Sequence, residues 1–194
     1  MKAVKLIVLF IRNWVLIPLS ILFDVLVFSY KSMLLGFDSG NNYLSQVSKP
    51  SIIFIIRLFG GSVGKDCDIN TGINFHNCKS YRNLNIGNNV HIGKDCFFDL
   101  RGKITLADNV VVSMQSTFIT HIDMTKSALS SSFPCRVGNI IVHTNSYIGV
   151  RSTVLMGVAI AENSFVAACS LVNKSNEPSE MIAGQPAKKI KSIG

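Results

Sequence analysis

Val142, Ile148, Val154, Ile160, Val166 and Val172 are six aliphatic residues, each six positions after the last, and this spacing limits the fold more than anything else in the sequence. A helix repeats every 3.6 residues and a strand every two, so a strict period of six fits neither alone. It fits short strands joined by tight corners, three hexads to a triangular coil, with the aliphatic side chain pointing inward. The position four residues after each aliphatic is small or β-branched, at Ser146, Ser152, Val158, Ser164 and Ser170, which lets the corner close. The register starts at Val63 and Ile69, continues at Ile86 and Ile92 with Val90 and Cys96 four residues on, and reappears at Leu106, Val112 and Phe118. Gly64, Gly87, Gly93 and Gly149 directly follow inward aliphatics and are expected to give the backbone freedom at those places. Stacked coils pair their strands in parallel and bury a core that no single coil could bury; about five fit between residues 63 and 177.

After Phe118 the register fails. Residues 122–139, "IDMTKSALSSSFPCRVGN", contain no hexad, and the spacing resumes at Val142. A loop thrust out of a rigid prism is a common place for function. His121 stands at its root, and imidazole titrates where a general base is useful. Asp123, two residues on, is a candidate to orient the imidazole or contact substrate. Asp99, just before a two-residue insertion in its hexad, is a candidate to hydrogen-bond an acceptor.

Residues 1–35 are apolar with isolated charges and lack the single short apolar core and small-residue cleavage site of a secretory signal. A spanning helix over residues 13–30 would enclose Asp24, at a cost on the order of 3 kcal/mol or more. Lys5, Arg12, Asn13, Ser20, Asp24 and Lys31 fall in about a third of a helix circumference, which favours a helix lying in a membrane surface. Pro18 is expected to kink this segment or start a second helix. A second apolar stretch runs from Pro50 to Phe59. The bland alternative is that both stretches pack on the rest of the protein or on a neighbouring subunit.

The formal net charge of +8 suits an anionic partner, yet Lys and Arg are scattered outside the tail "PAKKIK", with no basic run interleaved with aromatics. Nucleic acid is therefore not expected as a partner. The five cysteines form an odd set without a C-x-x-C pair, which argues against a disulfide framework or zinc ribbon; most read as small buried residues in a reducing compartment. His76, His91 and His143 include no closely spaced pair, so a three-histidine zinc site is not expected either.

The stretches "IGNNVHIGKDCFFD" and "YIGVRSTVLMGVAIAENSFVAACSLV" resemble the hexapeptide-repeat acyltransferases, in particular the polysaccharide and sugar O-acetyltransferases, and "MIAGQPAKKIK" is similar to their closing segment. The resemblance covers residues 63–191. It implies an all-β, left-handed parallel β-helix, a homotrimer, acetyl-CoA as cosubstrate and no metal. It implies His121 as the catalytic base. Val150 and Ala168 match positions whose backbone meets the pantetheine arm; Asn173 and Lys174 match positions at the nucleotide end; Lys188 and Lys191, with Lys189 beside them, match basic positions near the 3′-phosphate. The expected organisation is an apolar helical membrane-associating segment over residues 1–60, a β-helix over 61–177 with loop 122–139 extruded, and a closing segment over 178–194. The expected function is O-acetylation of a sugar hydroxyl of a cell-surface polysaccharide or lipid-linked glycan, at the cytoplasmic face of the membrane. N-acetylation of an amino sugar, or a catalytically silent trimeric scaffold, are the alternatives.

Overall fold

The computed structural model describes residues 9–194; Lys5 and the rest of residues 1–8 lie outside the described residues. Three parallel ladders form the sides of a prism. The first side stacks Ser62–Val63, Leu84–Ile86, Ile104–Leu106, Ile140–Val142 and Ala159–Ile160. The second stacks Asp68–Ile69, His91–Ile92, Val111–Val112, Tyr147–Ile148 and Phe165–Val166, and the third Asn74–His76, Phe97–Asp99, Thr117–Ile119, Thr153–Leu155 and Leu171–Val172. The chain visits the sides in turn, which makes a parallel β-helix. Glu180–Gly184 extends the second side and folds back antiparallel on Ala187–Ser192, closing that end.

The register explains the period. Ile86, Leu106, Val142 and Ile160 pair in one column, Ile69, Ile92, Val112, Ile148 and Val166 in a second, and Phe98, Phe118, Val154 and Val172 in a third. Every member of these columns is at most 3% exposed. Two-residue strands contribute one inward position each, the first side adds a second buried column of Leu84, Ile104 and Ile140, and the neighbouring coils supply the rest of the packing. The small residues at the fourth position cap backbone carbonyls at the corners: Ser146 Oγ donates to the Ala161 carbonyl at 2.8 Å and Ser152 Oγ to the Ala167 carbonyl at 2.9 Å.

The four glycines serve differently from expectation. None of Gly64, Gly87, Gly93 and Gly149 has a positive φ; the left-handed corner residues are instead Asn89, Asn109, Asn145, Asn163 and their counterparts, at φ near 53–59°. Asparagine tolerates that region and bonds locally, and these four form a ladder with Nδ2-to-Oδ1 distances of 2.9, 3.0 and 3.1 Å. The glycines are needed for room. A Cβ at Gly149 would lie 2.5 Å from the backbone nitrogen of Ala168 in the next coil, and one at Gly93 the same distance from that of Met114.

The front of the chain forms helix α1, Leu9–Leu34, with a π-helical stretch at Arg12–Leu16, then α2, Phe37–Leu44, and α3, Lys49–Leu58. Pro18 does not start a separate helix. It occupies the beginning of the α-helical part, directly after the π-helical stretch, where its missing N–H is absorbed by the change of pitch. Phe28 of α1 is fully buried, with Phe59 at 4.7 Å, Phe37 at 5.7 Å and Tyr81 at 6.2 Å between ring centroids. This aromatic cluster caps the first coil. Of the cysteines only Cys96 is buried, Cys67 and Cys78 are half-buried, and Cys135 and Cys169 are exposed on an outward loop and a corner, so the expectation that most are buried is not met.

Candidate active site

His121 follows the third-side strand Thr117–Ile119 and begins a two-residue strand, His121–Ile122, that pairs antiparallel with Arg136–Val137. The extruded segment is thus an arm whose two legs are tied at its root. Gly138 N–H donates to the Thr120 carbonyl at 2.9 Å, adding another rung. A Cβ on Gly102 would crowd Thr120 and Val137 at 3.0 Å, so a glycine there lets the preceding coil pass under the arm.

His121 Nδ1 lies 2.6 Å from Asp99 Oδ2. Asp99 is 1% exposed and His121 20%. A carboxylate only accepts, so the proton of a neutral His121 sits on Nδ1, which leaves Nε2 as the basic nitrogen. Among the described residues Nε2 has no hydrogen-bond partner. Asp99 is held from several sides: the Thr120 backbone N–H and hydroxyl donate to Oδ2 at 2.8 and 2.7 Å, and Asn77 Nδ2 donates to Oδ1 at 3.0 Å. Burial alone would raise its pKa, but the bonds from His121, Thr120 and Asn77 outweigh that and bring it down to about 2. The carboxylate is therefore ionised at neutral pH and can stabilise an imidazolium beside it.

Asp99, and not Asp123, is the aspartate beside the imidazole. Asp99 is buried beneath His121 with its oxygens already engaged, so it is placed to orient the ring and not to meet an acceptor. Asp123 does not reach the imidazole. Its carboxylate takes Arg101 Nη1 at 2.8 Å and the Thr125 hydroxyl at 2.8 Å, and Arg101, then Thr125, hold its pKa well below the usual carboxylate range. The physical reason is the intervening Ile122: a two-residue step along an extended chain carries Asp123 about 6.6 Å beyond His121. Asn77, Thr120 and Arg101 were not anticipated as parts of the site. The stacking of the coils supplies what hexad counting lacked. Phe98 pairs with Phe118, twenty residues on, so this coil is two residues longer than three hexads, and counting in that register brings Asp99 under Ile119, beside the root of the arm.

Asn77 and Arg101 also line an open cleft of about 350 Å³ with Phe37, Asp38, Cys78 and Lys79. It joins the first turn of α2 to the edge of the β-helix that carries Asp99.

The remaining candidates lie higher on the prism. Val150 and Ala168 share the corner between the second and third sides; the Cys169 N–H donates to the Val150 carbonyl at 2.8 Å. Asn173 and Lys174 are exposed and follow Val172, which stacks over Val154 and Phe118, so they occupy the edge of His121 two coils up. Lys188 and Lys191 are exposed on the closing hairpin, paired with Ala183 and Met181. Lys189 points to Glu180 at 2.7 Å, which makes it a structural ion pair. Small residues along an exposed corner, with free lysines above it, fit an extended ligand with amides at one end and phosphates at the other. Among the described residues no cluster of three or more His, Cys, Asp or Glu is placed to share a metal ion.

No family model matches the chain. The galactoside O-acetyltransferase of Escherichia coli (strain K12) is 27% identical to it over 170 residues, 82% of this chain and 76% of that protein. Other curated relatives reach 31% identity over 111 residues, and the chain spans about half of their length, 56%. Among solved structures, the maltose O-acetyltransferase from Clostridium difficile 630 matches with a TM-score of 0.69 at 22% identity, over 90% of this chain and 88% of that one. The hexapeptide-repeat acetyltransferase from Vibrio cholerae O1 biovar eltor, complexed with acetyl coenzyme A, matches with a TM-score of 0.68 at 19% identity, over 94% and 91%. The solved structures share the fold, and the curated relative extends the likeness to sequence: the chain is similar to hexapeptide-repeat acetyltransferases in both.

Proposed function

We propose that the protein is an acetyl-CoA-dependent O-acetyltransferase acting on a sugar hydroxyl, with His121 as general base. The observation that carries this reading is the 2.6 Å contact between His121 Nδ1 and the buried, ionised Asp99, which fixes the tautomer and leaves Nε2 basic. Nε2 takes the hydroxyl proton as the acceptor oxygen attacks the thioester carbonyl carbon. As the carbon–sulfur bond breaks, the imidazolium returns that proton to the departing thiolate, so the products are an acetyl ester and a free thiol. Asp99 stabilises the imidazolium in between and is a positioning residue. No acyl-enzyme is needed. The cleft lined by Arg101 and by Asn77, which donates to Asp99, is the candidate site for the acceptor. The names of the galactoside and maltose O-acetyltransferases support a sugar as acceptor.

Coenzyme A would lie along the corner of Val150 and Ala168, with Asn173, Lys174, Lys188 and Lys191 toward its phosphates. A homotrimer of left-handed β-helices is part of the reading, as is attachment to the cytoplasmic face of a membrane through residues 1–35. The exposed side chains of α1, Trp14, Leu19, Phe23 and Leu26 among them, support that attachment. An acceptor close to the membrane follows: a cell-surface polysaccharide intermediate or a lipid-linked glycan. The test is thiol release from acetyl-CoA with neutral sugars and alkyl glycosides, for the wild type and His121→Ala. Acceptor-dependent release that falls at least ~100-fold in the variant is expected; equal rates would remove His121 from the mechanism, and no release with any acceptor would overturn the enzyme reading.

A further inference from the structure

Helix α1 is long and apolar enough to cross a bilayer, but from Asp24 onward its contacts leave it only one side for lipid. Asp24, near its middle, is turned toward the neighbouring helices and accepts from the Tyr43 hydroxyl of α2 at 2.7 Å and the Ser51 hydroxyl of α3 at 2.5 Å. One turn later Phe28 is buried in the aromatic cap of the first coil. The C-terminal half of α1 thus rests on α2, whose Asp38, Ser39, Asn41 and Asn42 could not enter hydrocarbon with it. A crossing that ended at Asp24 would need about 20 residues to span the roughly 30 Å of a bilayer core, and Arg12 and Asn13 would lie inside it.

The opposite side of α1 carries exposed Leu19, Leu22, Phe23, Leu26 and Tyr30, and α3 adds exposed Phe54 and Leu58. Pro18, Ile21, Leu22, Val25 and Phe54 enclose a shallow apolar cleft that joins the two helices into one surface. With Asp24 turned inward, the other charges of α1 among its described residues are cationic, Arg12 and Lys31. On α3, Lys49 is paired with Asp68, and Arg57 donates to the Val63 and Gly64 carbonyls. A second copy of the chain would bring the same cations and the same net charge of +8 to such a face; an anionic leaflet complements both its apolar area and its rim.

We propose that α1 and α3 together form one lipid-facing surface that lies on an anionic phospholipid leaflet, and that α1 does not cross the membrane. This deepens the attachment proposed above and is independent of the role of His121. It fixes how the protein sits, because α3 leads directly into the first coil at Ser62.

Trp14 is the one tryptophan of the sequence, so Trp14→Phe gives a silent background into which Leu22→Trp, close to the midpoint of α1, and Phe54→Trp are introduced singly. The full-length variants are mixed with phosphatidylcholine vesicles, with and without phosphatidylglycerol, that carry a quencher either high or deep in the acyl chain. Both probes are expected to be quenched several-fold more by the shallow quencher, with binding at least ~10-fold tighter to the phosphatidylglycerol vesicles. Stronger quenching of Leu22→Trp by the deep probe would show a span and overturn the proposal, as would quenching of Leu22→Trp without that of Phe54→Trp. Absence of vesicle binding by the wild type would overturn the attachment itself; a fluorescence change that follows protein concentration without vesicles would assign the surface to a second copy. In the otherwise wild-type chain, Phe54→Glu is expected to lower partitioning at least ~10-fold with an unchanged circular dichroism spectrum, and wild-type partitioning would again overturn it.

Discussion

The β-helix and the helical front are stabilised in opposite ways. In the β-helix a few contacts recur: an aliphatic column on each side, a serine bonding to a corner carbonyl, an asparagine ladder along one edge. In the front each contact occurs once, such as Asp24 between Tyr43 and Ser51 or Phe28 within its aromatic cluster. A repeated contact averages its errors over many coils, whereas a unique one depends on single partners. The candidate active site belongs to neither pattern. It arises where the repeat is interrupted twice, by the longer coil around Asp99 and by the arm at His121, and the two interruptions meet.

The largest effect should come from that junction. Asp99→Asn keeps the shape but removes the charge and the tautomer preference, and acetyl transfer is expected to fall ~100-fold or more, with KM for acetyl-CoA little changed; steady-state kinetics on both substrates read this. Next is the repeated core. Phe118 is fully buried and stacked on Phe98 at 4.8 Å, so Phe118→Ala should cost ~3–5 kcal/mol in denaturant unfolding. In the front, Asp24→Ala leaves the Tyr43 and Ser51 hydroxyls without their acceptor and should cost ~1–3 kcal/mol. If the contrast holds, that loss appears as early melting of the helices, while the β-helix unfolds where it did before. The smallest effect is expected at a corner of the ladder, where Asn109→Ala should cost about 1 kcal/mol, because neighbouring rungs remain.

The Asp99 pair also carries a pH dependence. Its pKa is depressed in the folded protein to about 2, so its contribution to stability is present above the ordinary carboxylate value near ~4 and is lost as pH falls toward 2. Melting temperatures of wild type and Asp99→Asn should therefore differ at neutral pH and converge near pH 2.

Much of the fold was legible because each inward aliphatic is a repeated vote for the same geometry. The position of His121 was legible as the place where that vote stops. The partner of His121 was not, since hexad counting loses register across the two-residue insertion after Asp99, and pairing of Phe98 with Phe118 is a property of the stacked coils. The corner glycines were placed correctly and explained wrongly: sequence shows where a Cβ is missing, not whether the reason is φ or the backbone of the next coil. Asp24 illustrates the same limit, for a carboxylate in an apolar run looks costly until Tyr43 and Ser51 are seen to hold it away from the exposed face.

The central claim is that His121 and Asp99 act as one unit, and a double-mutant cycle tests it most directly. Acceptor-dependent thiol release is measured for the wild type, His121→Ala, Asp99→Asn and the double variant. Once the base is gone its orienting carboxylate has nothing left to orient, so the double variant should be no slower than His121→Ala within about twofold. Losses that multiply, with the double variant slower by the product of the two single effects, would show that the residues act separately and would contradict the account.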